Sequence, residues 1–370
     1  MNKKNCCVLI PSLSPDRRLP DYVKALLAAG FGGVVVVNDG SKPEYNSFFD
    51  ECAAQEGCFV TGYSVNRGKG YALRTGIRYI RENTSFDGII TADSDGQHTP
   101  EDTEKMAEKL DSNSGLLLGS RDFTSSNPNI PPRSRFGNRI TSLVFKLFYG
   151  TYLPDTQTGL RAFSRSLFTK MEEVTGDRFE YEMNVLIHCS KDKIPMAVVP
   201  IDTVYLEENK SSHFNTVKDS WRIYKLMIGT FIRFIGVSLL CWLIDNLLFD
   251  LLLYCVLPQK ETVRWLMWDV SSSLLIAYFA ARAVSATVNF TLNRKAVFCR
   301  KGGKNAILRY ICLALCCLLI SATVTAIVDH FVPGIAWLIK LIVDLVMFCA
   351  NYKVQEKWVF PEEKNEEKKA

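Results

Sequence analysis

Two aspartates, Asp93 and Asp95, stand in the stretch DGIITADSDGQ, directly after a run of apolar residues. Gln97 adds an amide oxygen two positions beyond the second carboxylate. Carboxylate and amide oxygens on a tight loop can hold a hard divalent cation, which keeps its remaining positions for diphosphate oxygens. The cation would neutralise the charge that grows on a diphosphate leaving group. Because the pair follows an apolar run typical of a buried strand, we predict a metal site rather than a solvated turn.

Two glycine-containing loops carry further candidate residues. Asp39 lies in NDGS, directly after the run GVVVV, and a carboxylate there suits hydrogen bonding to a nucleotide base or ribose. An ordinary turn with an aspartate cap is the alternative. Lys69 lies in NRGKG, ahead of a helical pattern, where its charge and the glycine backbone can approach phosphate. A plain helix start is the alternative at Lys69.

Four arginines are candidates for binding a second phosphate. Arg121 lies in GSRDF, and Arg133, Arg135 and Arg139 follow in a helical pattern. Arginine suits this chemistry because its planar guanidinium offers a fork of N–H donors to phosphate oxygens. We expect some of the four to lie in a site and the others to be solvated.

The elements that position these residues alternate between short β-branched runs and helical patterns. Strands are predicted at 6–10, 33–37, 58–63, 87–92 and 115–120, and helices at 20–30, 69–80 and 100–110. This alternation predicts βαβ units and a mostly parallel sheet with helices on both faces. Ligands bind such sheets beyond the carboxyl ends of the strands, which is where Asp39 and Asp93 lie.

The last part of the chain differs in composition. The 370 residues average 48% hydrophobic and 22% charged, but charged residues crowd the first 230 positions and the last ten. Four apolar segments lie between them, at about 231–257, 270–290, 306–329 and 333–352. Each is long enough to cross a bilayer. We therefore predict a soluble domain followed by a membrane domain of four spans.

The apolar part contains an internal repeat. VNFTLNRKAVF and ANYKVQEKWVF end at Phe298 and Phe360, 62 positions apart, so a duplicated helical hairpin is predicted. Arg282 and Asp344 are also 62 positions apart, and we predict that they pair across the repeat. The loop 294–309 is basic and has no acidic residue. Positive charge marks the cytoplasmic side, so this loop, the soluble domain and the C-terminal tail are predicted to be cytoplasmic.

Two segments place apolar residues at helical spacing among basic ones. They contain Phe136, Ile140, Leu143, Val144, Leu147 and Phe148 in the first, and Trp221, Tyr224 and Met227 in the second. Either segment could lie in the membrane interface and bring a site to the lipid headgroups. Packing against the sheet is the alternative for both.

Taken in order, these motifs resemble family 2 glycosyltransferases of the dolichol-phosphate mannose synthase type, which transfer sugars to polyprenyl phosphates. The resemblance covers nearly all of residues 6–230. The matching stretches are IPSLSPD (10–16), VNDGS (37–41), NRGKGYALRTGI (66–77), TADSDGQHTPED (91–102), GSRDF (119–123), DTQTGLRAF (155–163), FEYEMNVLIHC (179–189) and VPIDTVY (199–205). The two hairpins that each end in a basic, aromatic VF motif resemble a GtrA-like membrane domain.

The resemblance implies a GT-A fold, a Rossmann-like α/β domain for nucleotide-diphosphate sugars, followed by an all-α transmembrane domain of four helices. The residues implied for the donor nucleotide sugar are Pro11, Ser12, Asp16, Asp39, Lys69 and Asp93. The divalent cation, Mg²⁺ or Mn²⁺, is assigned to Asp93, Asp95 and Gln97.

The resemblance also implies residues for catalysis and for the acceptor. The catalytic residues are Asp95, Arg121, Arg133, Arg135 and Asp155, with the acceptor phosphate bound by Arg121 and one arginine of 133–139. The floor of the site is expected to contain Asp155, Thr158, Arg161 and either Glu180 or Glu182. Asp155 is expected either to orient another group or to form a salt bridge with Arg161.

The predicted organisation is a catalytic domain at 1–212, an amphipathic interfacial linker at 213–230, a membrane domain at 231–360 and a charged tail at 361–370. The predicted reaction moves a hexose from a UDP- or GDP-sugar to a membrane polyprenyl phosphate. The acceptor oxyanion is already ionised at neutral pH, so it needs alignment rather than a strong base. A single displacement with inversion follows. The predicted partners are the nucleotide sugar, the lipid and the bilayer, with possible homo-oligomers and no nucleic acid.

Two other functions are compatible with parts of the sequence. A processive polysaccharide synthase also uses a D-x-D motif, but the Q-x-x-R-W motif of those enzymes does not occur here. A flippase or assembly platform for lipid-linked sugars would use the membrane domain alone. The intact DSDGQ loop argues against an inactive soluble domain. The donor sugar and its base stay open.

Overall fold

The computed structural model describes residues 1–111, 115–123, 132–202, 216–257, 262–265, 268–300, 305–331 and 336–361. The chain divides into two units, Met1–Met227 and Ile228–Ala370. The first unit is an α/β domain with one β-sheet and helices between its strands, and the second unit is mainly helical.

The sheet of the first unit has seven strands within the described ranges. They are β1 (Cys6–Ser12), β2 (Gly33–Asp39), β3 (Cys58–Tyr63), β4 (Gly88–Thr91), β5 (Leu116–Ser120), β6 (Arg161–Ser164) and β7 (Met196–Pro200). Their order across the sheet is β3-β2-β1-β4-β6-β5-β7. All neighbours are parallel except β6, which runs antiparallel to β4 and β5. The predicted parallel α/β sheet is confirmed, with one reversed strand that the sequence pattern did not reveal.

Helices connect these strands and cover the sheet. They are α1 (Arg18–Ala28), α2 (Asn46–Ala53), α3 (Lys69–Asn83), α4 (Pro100–Lys109), α5 (Pro132–Tyr149), α6 (Phe168–Glu173) and α7 (Glu180–Lys191). The sequence at the start of α4 explains why the helix begins there. Thr99 Oγ1 accepts the N–H of Asp102 at 3.1 Å as the N-cap, and Pro100 is the first residue of the helix. Every residue of β1 is buried, as expected for a strand with helices on both faces.

The strand register brings the residues predicted to bind the donor to the end of the sheet where the carboxyl ends of the parallel strands meet. Ser12 at the end of β1 pairs with Asn38 near the end of β2. On the other side, Leu9 of β1 pairs with Thr91, the last residue of β4. Asp39 and Asp93 therefore lie at the same carboxyl edge although 54 residues separate them in the sequence.

The second unit consists mainly of helices that follow the predicted apolar segments. They are α8 (Thr216–Asp250, which begins in the first unit), α9 (Ser272–Leu292), α10 (Ala306–Phe331) and α11 (Ala336–Val354), with a short hairpin of β8 (Thr262–Trp265) and β9 (Trp268–Ser271). One helix in the described part of the chain, Trp221–Val256, is long and apolar enough to cross a membrane, with a mean hydropathy of 2.0. The described end of the predicted linker, 216–230, forms the first turns of α8. Four membrane crossings stay a prediction.

The sequence repeat has a structural counterpart in the second unit. A π-helical turn follows α9 at Asn293–Val297 and α11 at Gln355–Val359, 62 positions apart. The Asn293 Nδ2 donates to Gln355 Oε1 at 3.0 Å, and the rings of Phe298 and Phe360 stack with centroids 5.4 Å apart. Equivalent residues of the two repeats therefore contact each other.

The charged residues predicted to pair within the apolar helices are only partly described. Arg282 forms an ion pair with Asp245, with 2.9 Å between Nη2 and Oδ2. Ser285 donates to the other carboxylate oxygen of Asp245 at 3.0 Å. The side chain of Asp344 lies outside the described residues, so its pairing with Arg282 stays a prediction.

Candidate active site

A cavity of about 450 Å³ opens at the carboxyl edge of β1, β2 and β4. The loop after β1 forms one wall, and Arg178 and Phe179, ahead of α7, form part of another. The predicted site residues that line the cavity are Pro11, Ser12, Asp16, Asp39, Lys69, Asp93 and Asp95. Its volume is in the range of pockets that bind nucleotide-sized ligands.

Asp39 is buried at the end of β2 and organises one wall of the cavity. Its Oδ1 accepts the N–H of Arg67 at 2.9 Å and the hydroxyl of Tyr63 at 2.7 Å. The N–H of Gly68 donates to Oδ2 at 3.0 Å. Gly68 adopts a φ of +105°, which favours glycine, and a Cβ there would meet Asp177 O at 2.4 Å. Asp39 therefore fixes the loop that leads into α3 while it also faces the cavity.

Lys69, the first residue of α3, joins two carboxylates of the site. Its Nζ lies 2.7 Å from Asp93 Oδ1 and 2.9 Å from Glu182 Oε1. Burial disfavours the charged ammonium, but the two carboxylates outweigh it and raise the pKa of Lys69 above its usual range. Lys69 is therefore a cation at neutral pH, held at the floor of the cavity between α3, α7 and the loop after β4.

The two aspartates after β4 have opposite electrostatic environments. Burial opposes ionisation of Asp93, but Lys69 and His98 lower its pKa well below the usual range. His98 Nε2 lies 3.7 Å from Asp93 Oδ2, and the histidine is buried. Burial and then the negative charge of Asp93 raise the pKa of Asp95. The site thus concentrates negative charge that a cation would neutralise.

The donor set after β4 fits a divalent cation held by two carboxylates. Two carboxylates suffice for Mg²⁺ when substrate phosphates complete the coordination. No cluster of three or more His, Cys, Asp or Glu that could hold a metal occurs among the residues that the structure describes. The N–H of Gln97 donates to Asp95 Oδ1 at 3.0 Å, and Gln97 does not line the cavity. A Cβ at Gly159 would come within 2.5 Å of Asp93 Oδ2, so the backbone approaches this carboxylate closely.

Arg121 and Asp155 form a second charged group, at the end of β5. The guanidinium donates from Nε to Asp155 Oδ2 at 2.7 Å and from Nη2 to Oδ1 at 3.0 Å. The Asp155 carboxylate is fully buried. The salt bridge considered for Asp155 with Arg161 is therefore wrong, and the partner is Arg121. Arg161 instead donates to the backbone oxygens of Thr158 and Glu182.

The loop that carries Asp155 is held by Asn138 of α5. Asn138 Nδ2 donates to Pro154 O at 2.5 Å, and its Oδ1 accepts the N–H of Thr156 at 3.2 Å. Asn138 is buried, so both contacts are shielded from water. One amide side chain thus fixes the backbone on both sides of Asp155, which in turn orients Arg121.

The structure does not place every predicted residue at the cavity. Arg121 and Asp155 do not line it, and Arg135 lies half-buried on α5. The side chain of Arg133 lies outside the described residues. Glu180 accepts the backbone N–H groups of Asp177 and Arg178 at the start of α7, whereas Glu182 binds Lys69. Of the two glutamates proposed for the floor, Glu182 is the one at the site.

Sequence reasoning missed several residues that the structure assigns to the site. Asn138 and Tyr63 lie outside the quoted motifs, whereas Phe179 and His98 lie inside motifs but were not among the predicted site residues. The signal for His98 was its position three residues after Asp95 in the same motif. Asn138 gave no signal, because an asparagine within an amphipathic helix does not reveal which distant loop it contacts.

Comparison with known proteins identifies two matching regions. The Glycosyl transferase family 2 profile matches residues 7–171, and the GtrA/DPMS transmembrane domain profile matches residues 233–360. An uncharacterised protein of Methanocaldococcus jannaschii is 32% identical over 232 residues, which cover 62% of this chain and 93% of that protein.

Two further relatives carry functional names. The UDP-N-acetylglucosamine–dolichyl-phosphate N-acetylglucosaminyltransferase of Methanococcus voltae is 28% identical over 247 residues, covering 62% of this chain and 97% of its own. The polyprenol monophosphomannose synthase of Mycolicibacterium smegmatis is 25% identical over 170 residues, covering 45% of this chain and 63% of its own. The first name gives dolichyl phosphate as the acceptor and the second gives a polyprenol monophosphomannose as the product, so the sugars of the two relatives differ.

Proposed function

Because this chain belongs to glycosyl transferase family 2 and carries a GtrA/DPMS transmembrane domain, we propose that it transfers a hexose from a nucleotide diphosphate to a polyprenyl phosphate. The observation that carries the proposal is the pair of charged groups in the first unit. Asp93 and Asp95, with Lys69, suit a nucleotide diphosphate, and Arg121 suits a second phosphate. Relatives that use dolichyl or polyprenyl phosphates support this choice of acceptor.

The donor nucleotide sugar is proposed to bind in the 450 Å³ cavity. Asp93 and Asp95 would hold Mg²⁺ or Mn²⁺, which supplies Lewis-acid neutralisation of the diphosphate when bound. Lys69 is a permanent cation beside Asp93 and would contribute positive charge to the same region. The 11–16 loop and the Asp39 wall would contact the nucleoside. We propose a UDP- or GDP-linked hexose as the donor.

The acceptor phosphate is proposed to bind Arg121, whose guanidinium Asp155 orients through two hydrogen bonds. Arg133 or Arg135 would add a second contact. An acceptor phosphate oxygen forms the new bond to the anomeric carbon while the bond to the diphosphate oxygen breaks. The departing nucleotide diphosphate keeps the electron pair. Attack opposite the leaving group inverts the anomeric configuration, so an α-linked donor gives a β-linked lipid product. The protein would accelerate the reaction mainly by aligning the acceptor phosphate with the anomeric carbon, opposite the diphosphate leaving group.

The membrane arrangement is proposed from charge and hydropathy. The basic loop 294–309 would face the cytoplasm, and with four crossings the catalytic domain and the C-terminus would be cytoplasmic as well. This arrangement suits the reaction because the nucleotide sugar arrives from water and the acceptor phosphate from the membrane surface. The product would serve cell-envelope glycosylation.

The experiment that tests the function uses the full chain in membranes with undecaprenyl phosphate, Mg²⁺ or Mn²⁺, and a set of labelled UDP- and GDP-sugars. We expect label in the lipid fraction with one donor. The same substitution is made inside and outside the cavity, as Asp95→Asn in the site and Asp21→Asn on the surface of α1. The comparison separates the effect of losing a site carboxylate from the effect of removing one negative charge from the protein. Transfer that persists in Asp95→Asn would contradict the metal assignment. Absence of lipid product with every donor would contradict the function.

A further inference from the structure

Three basic side chains line the donor cavity among the residues that the structure describes, and two of them are paired with carboxylates. Arg18 donates from Nε to both carboxylate oxygens of Asp16, at 2.9 Å each. Lys69 lies between the carboxylates of Asp93 and Glu182. Neither of these two cations therefore brings an uncompensated positive charge to the cavity.

Arg178 is the third basic side chain, and it differs from the other two. It lines the cavity and is exposed. Within the described part of the chain, its guanidinium has no hydrogen-bond or ion-pair partner. Because an arginine side chain stays a cation at neutral pH, Arg178 contributes a positive charge that no carboxylate of the cavity compensates.

The backbone that carries Arg178 is held from two sides. Glu180 Oε1 accepts the N–H groups of Asp177 and Arg178, at 3.3 Å each, and Asp177 O accepts the N–H of Tyr71 in α3 at 3.0 Å. A Cβ at Gly68 would lie 2.8 Å from Arg178 Cγ, so the stem of the arginine packs directly on this glycine. These contacts tether the side chain at the start of α3.

The start of α3 is also where the residues proposed for the diphosphate lie. Phe179, the next residue after Arg178, has its ring centroid 5.9 Å from Lys69 Nζ. Lys69 Nζ in turn lies 2.7 Å from Asp93 Oδ1. Arg178 is therefore close to the carboxylates proposed to hold the divalent cation.

A nucleotide diphosphate brings more negative charge than the paired groups of this region compensate. Asp93 and Asp95 would balance the two charges of a divalent cation, and Glu182 balances Lys69. The diphosphate gains a further negative charge as its bond to the sugar breaks. An arginine without a carboxylate partner suits that charge, because its planar fork of N–H donors binds phosphate oxygens directly.

We propose that Arg178 binds the diphosphate of the donor and stabilises it as the leaving group. The leaving-group role rests on the proposed function, whereas the binding of a nucleotide diphosphate does not require transfer. When the bond between the anomeric carbon and the diphosphate oxygen breaks, the electron pair stays on that oxygen. The guanidinium donates hydrogen bonds to the phosphate and gives up no proton. Arg178 is a catalytic residue in this scheme, since it touches the departing group.

The binding step is tested by calorimetry on the full chain in detergent, with Mg²⁺ and without acceptor. UDP and GDP are titrated, and the one that binds more tightly is used for the variants. Arg178→Gln should raise its dissociation constant by about tenfold to a hundredfold, because a charge-assisted contact to phosphate is lost. Arg17→Gln, at an exposed ion pair on the surface, is the matched control and should leave the constant unchanged. Wild-type affinity in Arg178→Gln would overturn the proposal.

A graded series separates phosphate binding from a structural role. Arg178→Lys keeps the charge without the fork, Arg178→Gln removes the charge and Arg178→Glu reverses it. The loss of nucleotide affinity should increase in that order, while the melting temperature stays the same because the side chain is exposed. The lysine variant also keeps the stem that packs on Gly68, so it tests the proposal even if a shorter side chain prevents folding. Equal losses in all variants would indicate a structural role only and contradict the proposal.

The leaving-group role is tested in the transfer assay with labelled nucleotide sugar and polyprenyl phosphate. Arg178→Gln should lower kcat by about 10²-fold, because the charge that it stabilises develops in the transition state. The KM for the polyprenyl phosphate should be unchanged. A higher acceptor KM with unchanged nucleotide affinity would place Arg178 at the acceptor instead and overturn the proposal.

These experiments separate the inference from the proposed function. If the chain makes no lipid product with any donor, the function fails, and calorimetry still decides whether Arg178 binds a nucleotide diphosphate. If the chain transfers sugar and Arg178→Gln has the nucleotide affinity and kcat of the wild type, the function stands and the inference fails.

Discussion

The donor cavity and the Arg121–Asp155 pair are built in different ways. Around the cavity, Asp39 ends β2 and Asp93 follows β4, the two parallel strands on either side of β1, and their position is set by the register of the sheet. Arg121 and Asp155 are instead held by side-chain contacts between distant segments, with Asn138 as the support. A sheet edge is rigid because many backbone hydrogen bonds determine it together. The Arg121–Asp155 pair, which we call the acceptor group after its proposed role, depends on a few side chains, so single substitutions should disturb it selectively.

The two regions also differ in charge. The donor cavity holds the carboxylates of Asp93, Asp95 and Glu182 around one cation, Lys69. At the acceptor group a single buried carboxylate orients a guanidinium. Acidic groups suit a site where a cation accompanies a diphosphate, and a guanidinium suits direct binding of a phosphate. The difference supports the proposal that the two anionic substrates are bound by different means.

The largest expected effect is that of Asp93→Asn. The substitution removes a negative charge that binds Lys69 and is assigned to the cation, so we expect the transfer rate to fall by about 10³-fold. The rate of labelled lipid formation measures it, with Asp21→Asn on the surface of α1 as the control. Binding of the polyprenyl phosphate should be unchanged. A matching loss of lipid binding would remove the distinction between the two regions.

The next effect is expected for Arg121→Lys. Lysine keeps the charge but loses the planar fork that pairs with Asp155, so the acceptor KM should rise by about tenfold to a hundredfold. The nucleotide dissociation constant, measured by calorimetry, should not change. Arg17→Lys, at an exposed ion pair on the surface, is the matched control. A rise in the nucleotide dissociation constant of similar size would place Arg121 in the donor site instead.

Asp39→Asn is expected to weaken binding of the donor nucleotide and not of the acceptor, which is the reverse of the effect expected for Arg121→Lys. The asparagine amide keeps one oxygen, which can still accept the N–H of Arg67, but its NH2 group would face the N–H of Gly68 that Oδ2 now accepts, at a cost of about 2 kcal/mol. We expect a rise in the nucleotide dissociation constant and a lower melting temperature, because the loop into α3 loses its anchor. The acceptor KM should stay the same. Weaker acceptor binding without weaker donor binding would contradict the assignment of this wall.

The smallest effect is expected for Tyr63→Phe. It removes one hydrogen bond to Asp39 while the backbone N–H contacts remain, so donor affinity should fall by only about fivefold, or about 1 kcal/mol. Burial, followed by the neighbouring Asp39, raises the pKa of Tyr63, so its hydroxyl stays a donor across the working pH range. Wild-type nucleotide affinity should therefore show no loss from Tyr63 ionisation up to about pH 10. A loss that Tyr63→Phe abolishes would contradict this.

The donor cavity could be predicted largely from the sequence. Asp39, Lys69 and Asp93 stand next to apolar β-branched runs or glycine loops, and the carboxyl ends of parallel strands meet at one edge. The predicted strands and helices of this part are also confirmed to within a few residues. Local patterns were sufficient because the sheet register follows from consecutive βαβ units.

The acceptor group was less accessible to sequence reasoning. The sequence suggested Arg161 as a partner of Asp155 because the two are close along the chain, whereas the structure pairs Asp155 with Arg121, 34 positions away. Strand β6 runs antiparallel, so the segment before it returns across the end of β5. No local pattern encodes that reversal, and it decides which charges meet.

The sequence by itself predicted the carboxylate pair for a cation and the strand-and-helix alternation, because both depend on residue types at short spacing. It also revealed the apolar repeat, because two stretches match 62 positions apart, and the resemblance of its motifs indicated the class of transferase. It also determined that 132–149 is amphipathic, with apolar residues at helical spacing. Only the tertiary structure decided which face of α5 is outside, since periodicity gives the separation of two faces but not their direction. Packing of Thr141 and Tyr149 against α8 turns the polar face inward and leaves the apolar face exposed. That orientation brings Asn138 on the polar face to the loop that carries Asp155, the partner of Arg121.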